Sequence, residues 1–331
     1  MPENFDWKLC DPHKFRPFKN KEYKINLGIR KLDPNDFICI ENTYLDRTDL
    51  REKLFEKYPT RCHGFHPSVL PALREVYDLV FDFLVTRYPK YFYRTENGLV
   101  YNKIRRESIP SDSSKLEAEE LERIICRNIE EDFLILLKNP DSDQPDEYIL
   151  RAAVSCFPAG FNPAEKLNTP LTAIHGPVPG YKERLQLSMN RFFGRLKIHE
   201  YIVRSNWSIQ IHANLCAPTG SHASSVQAKE IKPVEAETLD FNKVFFRVEK
   251  QCFTRLPKTK ANLMLIRTYV TSMANLRDDV DIEALCGAID GVKGDLAIYK
   301  RRIQWGDAVK SYLRGETNGM TDEIYDYKFI S

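Results

Sequence analysis

The sequence predicts an α+β fold, an antiparallel sheet with helices on one side. Three observations carry this prediction. One strand pattern is followed by short helical pieces, and then three strand patterns follow with no long helical period among them. The regular strand–helix alternation of a dinucleotide-binding fold is missing. Helical periods gather in the N-terminal 140 residues and again after residue 280.

Asn26 to Tyr44 opens with a short apolar patch and the turn-prone Asp33-Pro34-Asn35-Asp36, and a short helix is expected from Thr48 to Lys57, with Thr48 as its cap. Between Ser68 and Tyr88, Leu73, Val76, Tyr77, Val80 and Leu84 recur at helical spacing, and Pro89 supplies a stop. Asn97-Gly98, flanked by Tyr91–Tyr93 and Leu99–Tyr101, reads as a hairpin, because both turn residues tolerate positive φ. A second long helix is expected over Lys115–Leu137 with Leu121, Ile125, Ile129 and Phe133 inward.

The polar stretch Asn139–Glu147 marks a boundary between an N-terminal helical segment, residues 1–140, and a central domain, residues 145–275. Strands are expected over Tyr148–Phe157, Tyr201–His212, Val244–Thr254 and Asn262–Ser272, with helical pieces at Pro163–Pro170 and Tyr181–Leu196. Residues 276–331 read as C-terminal helices, Asp281–Ala288 and Gly294–Leu313, and a polar tail.

The composition narrows the function. Lys plus Arg number 49 against 47 Asp plus Glu, a balance that gives no argument for a nucleic-acid or anionic-membrane partner. The longest aliphatic or aromatic run, Phe133–Leu137, is far below the ~20 residues of a membrane span. Met1–Asn20 lacks the apolar stretch of a signal peptide, so a cytoplasmic protein is expected. The eight cysteines, at 10, 39, 62, 126, 156, 216, 252 and 286, form no CxxC pair. They read as reduced, mostly buried thiols rather than zinc or iron–sulfur ligands. No GxGxxG, GxxxxGK, GxSxG or HExxH pattern occurs.

Two constellations remain. His175 follows an apolar stretch and precedes a backbone stiffened by Pro177 and Pro179 and bent by Gly176 and Gly180. A fixed backbone suits a metal ligand, whose imidazole must be aimed at one point, although a histidine beside a turn is more often structural. The second lies on adjacent strand patterns. Arg204, Asn206 and Ser208 share one face, and Phe245, Arg247, Glu249 and Gln251 share another at period two. This row is either a solvated surface of cross-strand Arg/Glu pairs or a polar pocket floor. Leu265, Arg267 and Tyr269 share a face of the last strand, from which Tyr269 is expected to donate a hydrogen bond into the same pocket or to sit at the core edge.

The strings Cys156-Phe157-Pro158, Gly160-Phe161-Asn162-Pro163-Ala164-Glu165-Lys166, Ile174-His175-Gly176-Pro177-Val178-Pro179, Arg204-Ser205-Asn206-Trp207, Arg247-Val248-Glu249-Lys250-Gln251 and Arg255-Leu256-Pro257 occur in that order. With Leu27–Asp33, Tyr44, Glu131-Asp132, Ile266–Tyr269 and Tyr299-Lys300, they make the chain resemble the haem-dependent oxidative N-demethylase family, alpha-subunit type, over roughly residues 25–315. It departs from the family pattern in carrying Phe161 where Trp is common, Asn168 where Gly is common and Lys250 where Arg is common.

The resemblance implies a PAS-like domain holding haem b, and oxidative removal of a methyl group from a small secondary amine such as dimethylamine with O2. Electrons are implied to come from NADPH through FMN and a 2Fe–2S centre on a partner reductase, for which this chain has no evident sites. It implies His175 as the haem-iron ligand, Arg204 toward a haem propionate or the distal pocket, and Arg247 and Glu249 as the groups that polarise oxygen and bind the amine; Tyr269, from its strand position, completes the expected catalytic set. The alternative is a PAS-type haem sensor that binds gas without turnover.

Overall fold

The computed structural model describes residues 1, 4–143, 146–224 and 226–320. Ten strands follow one another along the chain: β1 (Arg30–Lys31), β2 (His63–Phe65), β3 (Phe92–Arg94), β4 (Leu99–Asn102), β5 (Glu107–Pro110), β6 (Asp132–Lys138), β7 (Tyr148–Val154), β8 (Ile202–Gln210), β9 (Phe245–Arg255) and β10 (Asn262–Ser272). Seven of them form one antiparallel sheet in the order β1-β8-β9-β10-β6-β7-β2. β3, β4 and β5 form a small separate sheet around the Asn97-Gly98 turn, where Gly98 has φ +73°.

The large sheet is buried on both sides. Every residue of β9 from Phe245 to Thr254 is buried. One face, carrying Phe133, Ile135, Val154, Cys252, Leu263 and Leu265, packs on the helices Tyr44–Lys57, Leu70–Arg87 and Ala118–Asn128. The other face, carrying Leu136, Leu150, Ile202 and Phe253, packs on Leu171, Tyr181, Leu185, Met189 and Phe193 from the helices Leu171–His175, Tyr181–Arg184 and Gln186–Arg195. Helices therefore cover both faces rather than one. The C-terminal helices close on Trp207, Phe246 and Val248 at the far end of β8 and β9.

The long helix expected over Lys115–Leu137 is two elements. The helix is Ala118–Asn128, and Phe133–Leu137 belongs to β6, which lies between β10 and β7. A central strand buried on both faces loses its period-two signature and shows only a continuous apolar run, which a helix also shows. The polar segment 139–147 connects β6 to its neighbour β7, and β1, β2 and β6 all come from the first 140 residues. No helix among the described residues is long and apolar enough to cross a membrane.

Where β7 ends, the chain is fixed by one carboxylate. Asp132 is paired with the fully buried Arg51 and accepts from Ser155 Oγ at 2.9 Å, Cys156 N at 2.9 Å and Phe157 N at 3.0 Å. These bonds set the direction in which the segment Cys156–Asn162 leaves the sheet. Replacing Arg51 with Met leaves Asp132 buried without its counter-charge and should lower the unfolding free energy by about 3–5 kcal/mol in chemical denaturation. A loss under about 1 kcal/mol would show that the backbone donors alone satisfy the carboxylate.

Candidate functional site

A cavity of about 280 Å3 lies on the sheet face opposite the Leu70–Arg87 helix. Its floor is built by strand parity: Arg204 and Asn206 of β8 stand opposite Gln251 and Glu249 of β9, and Phe253 is followed across by Met264 of β10. Its apolar end is finished by Leu134, Leu136 and Leu150 below and by Ile174, Leu185, Met189 and Phe193 above. Its polar end is closed by Tyr23, His222, Tyr299 and Lys300.

Of the seven histidines, His175 and His222 line this cavity. His175 ends the short helix Leu171–His175, and its Nδ1 lies 2.9 Å from the Leu171 carbonyl oxygen. A carbonyl only accepts, so Nδ1 carries the proton and Nε2 keeps its lone pair. The ring stacks on Tyr181 at 5.2 Å. Burial, reinforced by the nearby Arg204 guanidinium, holds its pKa below the ordinary histidine value despite the backbone bond, so the ring is neutral, the form a metal accepts.

His222 comes from the irregular stretch between β8 and β9. It stacks on Tyr299 at 4.4 Å and lies against the Gly160 backbone. Burial first, then the charges of Lys300 and Arg247, push its pKa down to about 4. Gly160 has φ +75°, and a Cβ there would collide with His222 Nδ1, so glycine is needed both for the turn and for the ring above it.

The Arg204 side chain is half-buried and makes no hydrogen bond or ion pair among the described residues, and its Nε is buried without a partner. Burial lowers its pKa, opposed by Tyr23 and Glu249. Lys300 is buried as well. Its Nζ donates to the Trp207 carbonyl oxygen at 2.7 Å and to Asn206 Oδ1 at 3.3 Å. Desolvation, offset in part by Glu249, brings its pKa down to about 8. Glu249 accepts from Gln251 Nε2 at 3.0 Å. Among the described residues lining the cavity it is the sole carboxylate, set against Lys166, Arg204 and Lys300. The cavity therefore carries an excess of positive charge.

Two residues expected in this pocket lie elsewhere. Arg247 shares the face of Glu249, but its guanidinium runs beneath the loops, donating to the carbonyl oxygens of Phe157 at 2.5 Å and Leu215 at 2.9 Å, and it does not line the cavity. It is a positioning residue, because those bonds and the pairing of Gly160 N with the Ala217 carbonyl at 2.7 Å hold the two loops together. Tyr269 stands opposite Val248, on the other face of the sheet, with its hydroxyl 3.3 Å from Glu41 Oε1 beside Arg267. The row of alternating residues on β10 that contains Tyr269 faces away from the row that contains Glu249, so it cannot reach the cavity.

A family model described as haem-dependent oxidative N-demethylase, alpha subunit-like, matches residues 28–310. The chain belongs to that family. The cavity of this N-demethylase-like chain fits the haem of the family description on three points. A neutral, backbone-anchored imidazole offers Nε2, the apolar end of the cavity suits a flat macrocycle, and a half-buried guanidinium whose Nε has no partner, in a cation-rich wall, suits an anion such as a propionate. Asn168 adopts φ +62°, a conformation that asparagine tolerates better than most residues.

Two outcomes follow from this geometry. Gly160→Ala should lower stability by at least about 1–2 kcal/mol from the left-handed backbone alone. It should also shift the His222 ring signals in an NMR spectrum, and an unaltered spectrum would contradict the stacking described. Lys300→Met should stabilise the protein by at most about 3 kcal/mol, from a buried lysine held at about 8 instead of 10.5. The gain should be complete below pH 8 and fade as pH rises toward 10.5, since the wild-type lysine then loses its proton in both states. A pH-independent difference between the two proteins would contradict it.

Proposed function

We propose that this chain holds one b-type haem in the cavity and catalyses the oxidative N-demethylation of a small secondary amine. O2 is the oxidant, and the electrons come from NADPH through a partner reductase that carries FMN and a 2Fe–2S centre. The central sheet then serves as a PAS-like haem cradle. Overall, amine, O2, NADPH and a proton give the demethylated amine, formaldehyde, NADP+ and water, so the methyl carbon is oxidised while oxygen and NADPH supply the balance.

The observation that carries this reading is the pairing, in one cavity, of a neutral histidine with a free Nε2 and an arginine whose Nε has no partner, next to an apolar end. His175 would hold the iron, and Arg204 would meet a propionate. When bound, the haem supplies the redox centre for the oxidation. The chain's own residues bind and orient. Glu249, fixed by Gln251, offers a carboxylate to the amine's N–H groups, and the Leu134, Met189 and Phe253 side chains exclude water from the reacting end. Arg247 keeps the loops that carry Gly160 and Leu215 in place.

The test is an absorption spectrum of the purified chain supplied with haem, followed by formaldehyde measurement with NADPH, a reductase and dimethylamine. A Soret band that His175→Ala abolishes or strongly weakens, together with amine-dependent formaldehyde release, is expected. An unchanged band in His175→Ala would place the ligand elsewhere, with His222 the next imidazole in the cavity. A haem-loaded chain that releases no formaldehyde from any amine would point instead to a haem-based sensor.

A further inference from the structure

We infer that the amine taken by this site carries its own carboxylate: it is an N-methylated amino acid, held as a zwitterion with its ammonium on Glu249 and its carboxylate on Lys300. This inference rests on the N-demethylase reading above and names the substrate class within it.

The argument is one of charge and unfilled hydrogen-bonding capacity. With Arg204 and Lys166 matched to the two propionates of a haem, the ionic groups left on the cavity wall are Lys300 and Glu249. Both line the cavity, and each is in the field of the other, yet among the described residues they form no ion pair with each other; Glu249 is ion-paired at 3.9 Å with Arg247 instead. Asn206 and Glu249 are directly opposed residues of β8 and β9, and the Lys300 ammonium rests on Asn206 Oδ1. The positive and negative groups therefore flank one rung of the sheet.

Each group is short of partners. An ammonium has three donors, and Lys300 uses one on Asn206 and one on the Trp207 carbonyl, with no further hydrogen bond among the described residues. Glu249 accepts one hydrogen bond, from Gln251, and its other oxygen is ion-paired with the buried Arg247 at 3.9 Å, too far for a hydrogen bond, so that oxygen keeps its accepting capacity. At neutral pH the lysine remains mostly charged, because its pKa stays near 8. A simple dialkylammonium would satisfy Glu249 and then meet a second buried cation beside it. A zwitterion satisfies both groups and leaves the pocket's charge unaltered, and buried ionic groups favour a ligand that leaves neither unpaired.

Isothermal titration calorimetry of the haem-supplied full chain at pH 7 with N-methylglycine, dimethylamine and acetate tests this, with haem content measured on the same samples. N-methylglycine should bind about tenfold more tightly than dimethylamine, one charge-assisted hydrogen bond's worth. Lys300→Met should erase that preference while its far-ultraviolet circular dichroism stays that of the wild type. Glu249→Gln should weaken both amines. Dimethylamine binding as tightly as N-methylglycine, or a ratio that Lys300→Met leaves at the wild-type value, would overturn the inference. A haem-loaded chain that prefers dimethylamine overturns this inference alone. A chain that takes up no haem but keeps the preference overturns the demethylase reading alone.

Discussion

The cavity depends on a single buried carboxylate. Asp132 stands at the start of β6, in the middle of the sheet, and gathers the Arg51 guanidinium, the Ser155 hydroxyl and two successive backbone N–H groups. It thereby ends β7 and turns the chain outward toward Gly160 and Phe161. Arg247 takes up the next bond of the same path, on the Phe157 carbonyl, and ties it to Leu215 in the loop that precedes His222. Two buried ionic groups from neighbouring parts of one sheet thus decide where the cavity's loops lie, and the ligand-facing residues inherit their positions.

Arg267 and Arg204, on opposite faces of that sheet, are treated differently. On the face away from the cavity, Arg267 lies among Glu41, Glu130 and Glu131, and Glu130 is pushed up to about 7 by burial against the pull of Arg267. That guanidinium is more than compensated within the fold. On the cavity face Arg204 has no such partner among the described residues, and Lys300 has two neutral oxygens and the Tyr23 and Trp207 rings but no carboxylate. A folded chain leaves buried charge uncompensated at a cost of several kcal/mol.

Much of this was legible in the residues. The strands from Tyr148 onward end within a few residues of where the sequence places them, and the period-two rows Arg204/Asn206 and Glu249/Gln251 do share one cavity floor. What failed depended on information that no local pattern holds. Whether Tyr269 faces the same side as Glu249 is set by the register of β10 on β9, and a one-residue difference in that register reverses every side chain. Arg247 lies on the expected face, but its long side chain reaches under the loops instead of into the open space. His222 sits in an irregular segment with no periodicity to place it, and only the Gly160 backbone beneath it and Tyr299 beside it reveal its role. Phe133–Leu137 shows how full burial removes the signal that separates a strand from a helix.

The central claim is that this cavity is a haem site. Titrating the purified chain with haemin while following the quenching of Trp207 and its aromatic neighbours tests it most directly. One haem per chain, with a sharp end point and a Soret band distinct from free haemin, is the predicted result. A featureless titration, or binding of several haems with the spectrum of the free compound, would contradict it.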